Sequence, residues 1–168
     1  SVPAGGMRNE QPARRNASIT SSTSSGCASA AAASWSSRVA RALSCVASGR
    51  LVEAREGVQE ALSGLEKRPQ AEWRTFALCV LPVLADATGD PADAELAEQA
   101  AAEATRLAQD SNNVVMTIHA RSAMALATLV RGRLDESMVV IEDALADVRR
   151  RGGSWDEAEL LVTLARAQ

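Results

Sequence analysis

At 168 residues and 17.6 kDa the chain is long enough for one domain with its own core, and 46% apolar with 23% charged residues is a soluble, globular composition. A net charge of −3 argues against a general nucleic-acid binder, and one His with three well-separated Cys excludes a zinc site or a disulfide framework. No apolar run reaches the length of a membrane span, and 2% aromatics with abundant Ala and no Tyr point to packed helices rather than sheets.

Residues 1–34 hold 8 Ser and 8 Ala, with Val2, Met7 and Ile19 as the larger aliphatic side chains. Such a segment buries too little surface to offset its ordering entropy, so a disordered Ser/Ala-rich tail is expected, with Ala28–Ala33 fraying into helix. Ser21–Ser25 stands where a secretory signal needs an apolar stretch, which leaves the Asn16-Ala17-Ser18 sequon without a secretory context. The absence of a starting Met suggests a fragment.

From Trp35 onward the chain is charged, apolar and periodic, with 15 basic and 20 acidic residues. Together with three unpaired cysteines this suggests a cytoplasmic protein. The expected helices are 35–48, 51–67, 71–87, 92–109, 113–131, 134–151 and 154–168. Leu51, Ala54, Val58, Ala61, Leu62 and Leu65 lie along one helical face, as do Leu134, Met138, Ile141, Leu145 and Val148. Phe76–Leu84 is apolar almost all round, as suits a helix sandwiched between neighbours, and Pro82 is expected to kink it. Lys67-Arg68-Pro69 and Arg149-Arg150-Arg151-Gly152-Gly153 are helix stops: cations at the negative end of the dipole, then a residue that cannot continue the helix.

The chain repeats itself. Gly49-Arg50-Leu51-Val52-Glu53-Ala54 recurs 83 residues later as Gly132-Arg133-Leu134-Asp135-Glu136-Ser137. At the same offset Leu43 falls on Leu126, Val46 on Leu129, Ala61-Leu62 on Ala144-Leu145, and Leu65 on Val148. A weaker middle copy, Gly89-Asp90-Pro91-Ala92-Asp93-Ala94, lies 40 residues after the first and 43 before the last. Each unit reads as two helices joined at the Gly.

A Gly between two helices, followed by small residues five and twelve positions later, resembles the tetratricopeptide repeat. Ala54 with Ala61, Ala94 with Ala101, and Ser137 with Ala144 occupy the two small positions, where close helix approach requires small side chains. The resemblance covers 35–168 and implies an all-α solenoid of about three and a half antiparallel helix pairs, cut off within a repeat at the C-terminus. It departs from the family in its period of 40–43 residues and its lack of the motif's aromatics. Glu98 also stands where Val58 and Ile141 stand in the other copies. Long, Ala-rich repeats of this kind look like those of large bacterial LuxR-type or cyclase-associated ATPase regulators, with Gly153–Ala158 through Leu164–Ala167 carrying that likeness.

Single residues read structurally. His119 has no visible catalytic partner, Cys45 and Cys79 fall on apolar faces, and Cys27 lies in the tail. Arg149–Arg151 suits a helix C-terminus, and Trp35, Trp73 and Trp155, each near the start of a first helix, suit inter-repeat packing. No nucleophile–base set, metal spacing or phosphate loop stands out, so neither catalytic nor cofactor residues are assigned.

The expectation is a non-catalytic scaffold for protein or effector interaction within a larger transcriptional or signalling regulator. A stand-alone adaptor is the alternative, and a small helical enzyme a remote one. Its partner would be a protein or a neighbouring domain of the same polypeptide, with no nucleic acid or membrane bound by this segment. The last helix, with Leu160, Leu161 and Leu164 on its apolar side, offers a face for self-association.

Overall fold

Each Gly that marks the repeat breaks a helix in the same way. Gly49, Gly89 and Gly132 have φ of 73°, 64° and 74°, the left-handed region open to a residue without Cβ. At the first and third the bonding is identical: Gly49 N–H donates to the Val46 carbonyl and Arg50 N–H to that of Cys45, as Gly132 does to Leu129 and Arg133 to Thr128. This is the Schellman arrangement. The middle turn differs because Asp90 already begins the next helix. Gly89 donates to the Ala85 carbonyl, and the Asp90 side chain accepts from Ala92 N–H just ahead of Pro91.

The computed structural model describes the backbone of residues 23–67, 70–152 and 155–167, and side chains from residue 35 onward except those of 155, 156 and 159. Within it lie seven helices: α1 Thr23–Ala47, α2 Leu51–Lys67, α3 Ala71–Thr88, α4 Pro91–Ser111, α5 Val114–Val130, α6 Leu134–Arg150 and α7 Trp155–Ala167. Their bounds agree with the expected ones to within two residues except at α1, which begins at Thr23 rather than at 35. Part of the segment expected as a disordered tail is therefore helix. Ala28–Ala33 is its best helix-forming run and leads directly into the apolar stripe after Trp35. Trp35 consequently sits in the interior of α1, not near its start. The rest of the tail, residues 1–22, lies outside the described residues.

The stripes read from the sequence face inward for the most part, but Leu134, read as the first residue of the α6 stripe, is 45% exposed at the helix start, and Leu51, Leu62 and Met138 are half-buried. α2 buries Ala54, Val58, Ala61 and Leu65, and α6 buries Ser137, Ile141, Ala144, Leu145 and Val148. The inner face of α4 is almost entirely Ala, from Ala94 to Ala108, which lets its neighbours approach closely. α3 and α5 are buried on several sides, and α3 continues through the buried Pro82.

Packing is sequential, each helix lying against the next. The odd-numbered helices also pack on one another, α1 on α3, α3 on α5 and α5 on α7, while α2, α4 and α6 do not. The odd helices thus pack in series, and each even helix lies against the two odd helices it connects. One apolar cluster joins α1 to α5 through Val58, Leu65, Leu78 and Met116, and another joins α5 to α7 through Ile118, Ile141 and Leu160.

Candidate functional site

Helices α3, α5 and α7 pack in series, α3 on α5 and α5 on α7. Side chains of these three helices enclose a cavity of about 260 Å³. Cys79 and Val83 bound it from α3, Ser122 and Leu126 from α5, and Val162 and Thr163 from α7. His119 and Arg166 also line it.

α3 and α7 do not pack on each other, yet their side chains meet over α5. Arg166 Nη1 donates to Asp86 Oδ2 at 2.6 Å, joining residues 80 apart in the sequence. The pair is 49% and 33% exposed, so its net contribution to stability is small. At the other side of the cavity the His119 ring stands edge-on to Phe76 with centroids 5.1 Å apart, and Phe76 continues to Trp73 at 5.8 Å. The α3 side of the groove is Cys79 and Val83, and α7 brings Arg166 to it.

An ion-pair framework holds the helices that carry this groove. Within each pair an Arg of the odd helix bonds a carboxylate of the even one: Arg38 with Glu60 at 3.3 Å, Arg74 with Glu103 at 2.8 Å, and Arg121 with Asp147. Between pairs, Arg55 of α2 donates to both oxygens of Asp93 of α4, and the Thr88 hydroxyl donates to Asp93 at 2.8 Å. The hydrogen bond from Arg55, aided by Thr88 and opposed by burial, holds the Asp93 carboxyl below its ordinary range and raises the guanidinium's own pKa. Asp147 is lowered by hydrogen bonds from Arg150 and then Arg121. Glu98, which departs from the repeat pattern, pairs with Arg131 at 3.3 Å and accepts a hydrogen bond from Arg133, tying α4 to the α5–α6 turn.

The repeat positions fall where their small size matters. Ala54, Ala61, Ala94, Ala101, Ser137 and Ala144 are all buried, and Ser137 also donates to the Ala125 carbonyl at 2.7 Å. Trp35 lies on Gly64 of α2 with Arg38 stacked 5.2 Å from its ring, so its packing is within a pair as well as in the core shared with α3. Cys45 is buried and Cys79 half-buried; Cys27 and the side chain of Trp155 lie outside the described residues. Arg149 bonds Glu157 at 2.7 Å, and Arg150 bonds Asp147.

Reading single residues missed Asp86, Val83, Ser122, Thr163 and Arg166. What brings them together is the packing of α3, α5 and α7, which no local pattern in the sequence marks. Among the described residues no group of three His, Cys, Asp or Glu side chains could hold a metal, and no helix is long and apolar enough to cross a membrane. No protein-family model, curated protein or solved structure matches the chain.

Proposed function

We propose that residues 35–168 are a tetratricopeptide-like solenoid acting as a non-catalytic scaffold, with the groove of α3, α5 and α7 as its interaction surface for a protein segment or effector. The observation that carries this reading is the packing of the odd helices on one another, which brings side chains of α3, α5 and α7 around one cavity. Among the described residues α7 packs on α5 and α6 and exposes Leu161 and Val162. In a larger regulator this face would meet a neighbouring domain.

A photo-cross-linking amino acid placed at Val83 tests the surface, with Gln99 on the exposed side of α4 as control. Adducts from Val83 and none from Gln99 are expected. Equal adducts from both positions, or none from Val83, would refute the groove as the surface. Regulator and adaptor separate on the flanking coding sequence. A helix-turn-helix after Gln168 or a Gly-Lys-Ser/Thr loop before Ser1 marks the regulator.

A further inference from the structure

We infer that the cavity over α5 is a site for a small apolar carboxylate, anchored by Arg166 in exchange for Asp86. The inference rests on the groove being the interaction surface and specifies its ligand.

Three observations converge on an acid. Arg166 and His119 both line the cavity, and Arg166 brings a permanent guanidinium cation to its wall. That cation already holds a carboxylate, since Asp86 reaches it from the rim at 2.6 Å without itself lining the cavity. Asp86 therefore stands in for the carboxyl group of a ligand. It uses one guanidinium nitrogen, whereas a free carboxylate can take two parallel N–H donors from the same fork. The exchange costs little, because a half-exposed ion pair is weak in water.

The walls select the rest of the ligand. Val83, Ala123, Leu126 and Val162 offer apolar surface, and Ser122 and Thr163 add hydroxyls. A volume of about 260 Å³ falls below the roughly 300–1,000 Å³ of drug-sized pockets, which suits one ring or branched chain bearing the acid. Binding also changes the fold's own connections. α7 does not pack on α3, and Arg166–Asp86 is a tie between them, so an acid that captures Arg166 releases α7 from α3.

Titration of the full chain with phenylacetate, and with neutral phenylacetamide as its isostere, tests this by calorimetry. Saturable phenylacetate binding is expected, with phenylacetamide weaker by about tenfold or more, as for loss of a charge-assisted bond. Asp86→Asn removes the internal competitor and should tighten phenylacetate severalfold, whereas Arg166→Gln should abolish it. Absence of saturable binding by both the parent chain and Asp86→Asn, or equal binding of acid and amide, overturns the proposal. So does unchanged binding by Arg166→Gln; if circular dichroism shows that variant unfolded, the amide and Asp86→Asn comparisons decide. Cross-linking from Val83 without phenylacetate binding would overturn the acid site and leave the scaffold standing. Phenylacetate binding without any cross-link would restrict the groove to an effector.

Discussion

Arg55 and Asp93 lie 38 residues apart on α2 and α4, helices that do not pack on each other, yet both terminal nitrogens of Arg55 bond the Asp93 carboxylate at 2.5 and 2.6 Å. The repeat explains why. In the first and third copies an Arg three residues upstream serves the equivalent acid, Arg50 for Glu53 and Arg133 for Glu136. In the middle copy that Arg is replaced by Asp90, which caps α4. Asp93 takes its cation from the preceding helix pair instead, and a local bridge becomes one that joins two units.

Arg55→Met should therefore destabilise the fold by about 1–3 kcal/mol, below the figure for a fully buried broken pair because Arg55 is 40% exposed while Asp93 is 7% exposed. Asp93→Asn in the same background should recover part of the loss. Urea denaturation of the two single variants and the double variant measures the coupling, and an additive result would show that the pair contributes nothing.

Stability should fall in acid. The pKa values of Asp93 and Asp147 are lower in the fold than their ordinary value of about 4, so the unfolded chain binds more protons in that range and stability rises with pH. Their contribution is complete above the ordinary carboxylate value and is lost as pH drops through the lowered folded values. Melting temperature measured from pH 7 to pH 2 should show this decline, and Asp93→Asn should make it shallower. An unchanged slope would contradict the Arg55–Asp93 assignment.

Two glycines within α2 should respond oppositely to Ala. At Gly57 an added Cβ meets Ala42 at 3.8 Å, an ordinary contact, so Gly57→Ala should stabilise by about 0.5–1 kcal/mol through helix propensity. At Gly64 the same atom would overlap the Trp35 ring, so Gly64→Ala should destabilise by about 1–3 kcal/mol. Thermal melts of the two variants decide. Shifts of the same sign would mean Trp35 does not rest on Gly64.

Leu145→Ala removes a side chain buried between α5, α6 and α7 and should lower stability by about 2–5 kcal/mol. Arg150→Ala removes a side chain 73% exposed and should change it by less than about 1 kcal/mol. Equal losses in chemical denaturation would place the wrong face of α6 inward.

The helices and the turns between them were legible in one dimension because their causes are local. A stripe such as Ile141–Leu145–Val148 is buried together only as a helix, and the left-handed backbone at Gly49, Gly89 and Gly132 favours the residue without Cβ. The start of α1 was misread because Ser/Ala composition offers little burial, although Ala-rich segments pay almost no side-chain entropy to become helical. Glu98 looked like a flaw in the middle repeat. Its reason, Arg131 and Arg133 across the α5–α6 turn, exists only once the third unit is in place. The groove is of the same kind. Cys79, His119 and Arg166 carry no shared pattern of residue type, and what joins them is the packing of α3 on α5 and α5 on α7. Local periodicity thus determined which residues become helix and which face turns inward. Helix stacking alone decided which distant side chains meet over α5, because that depends on distances between units rather than on any neighbour in the chain.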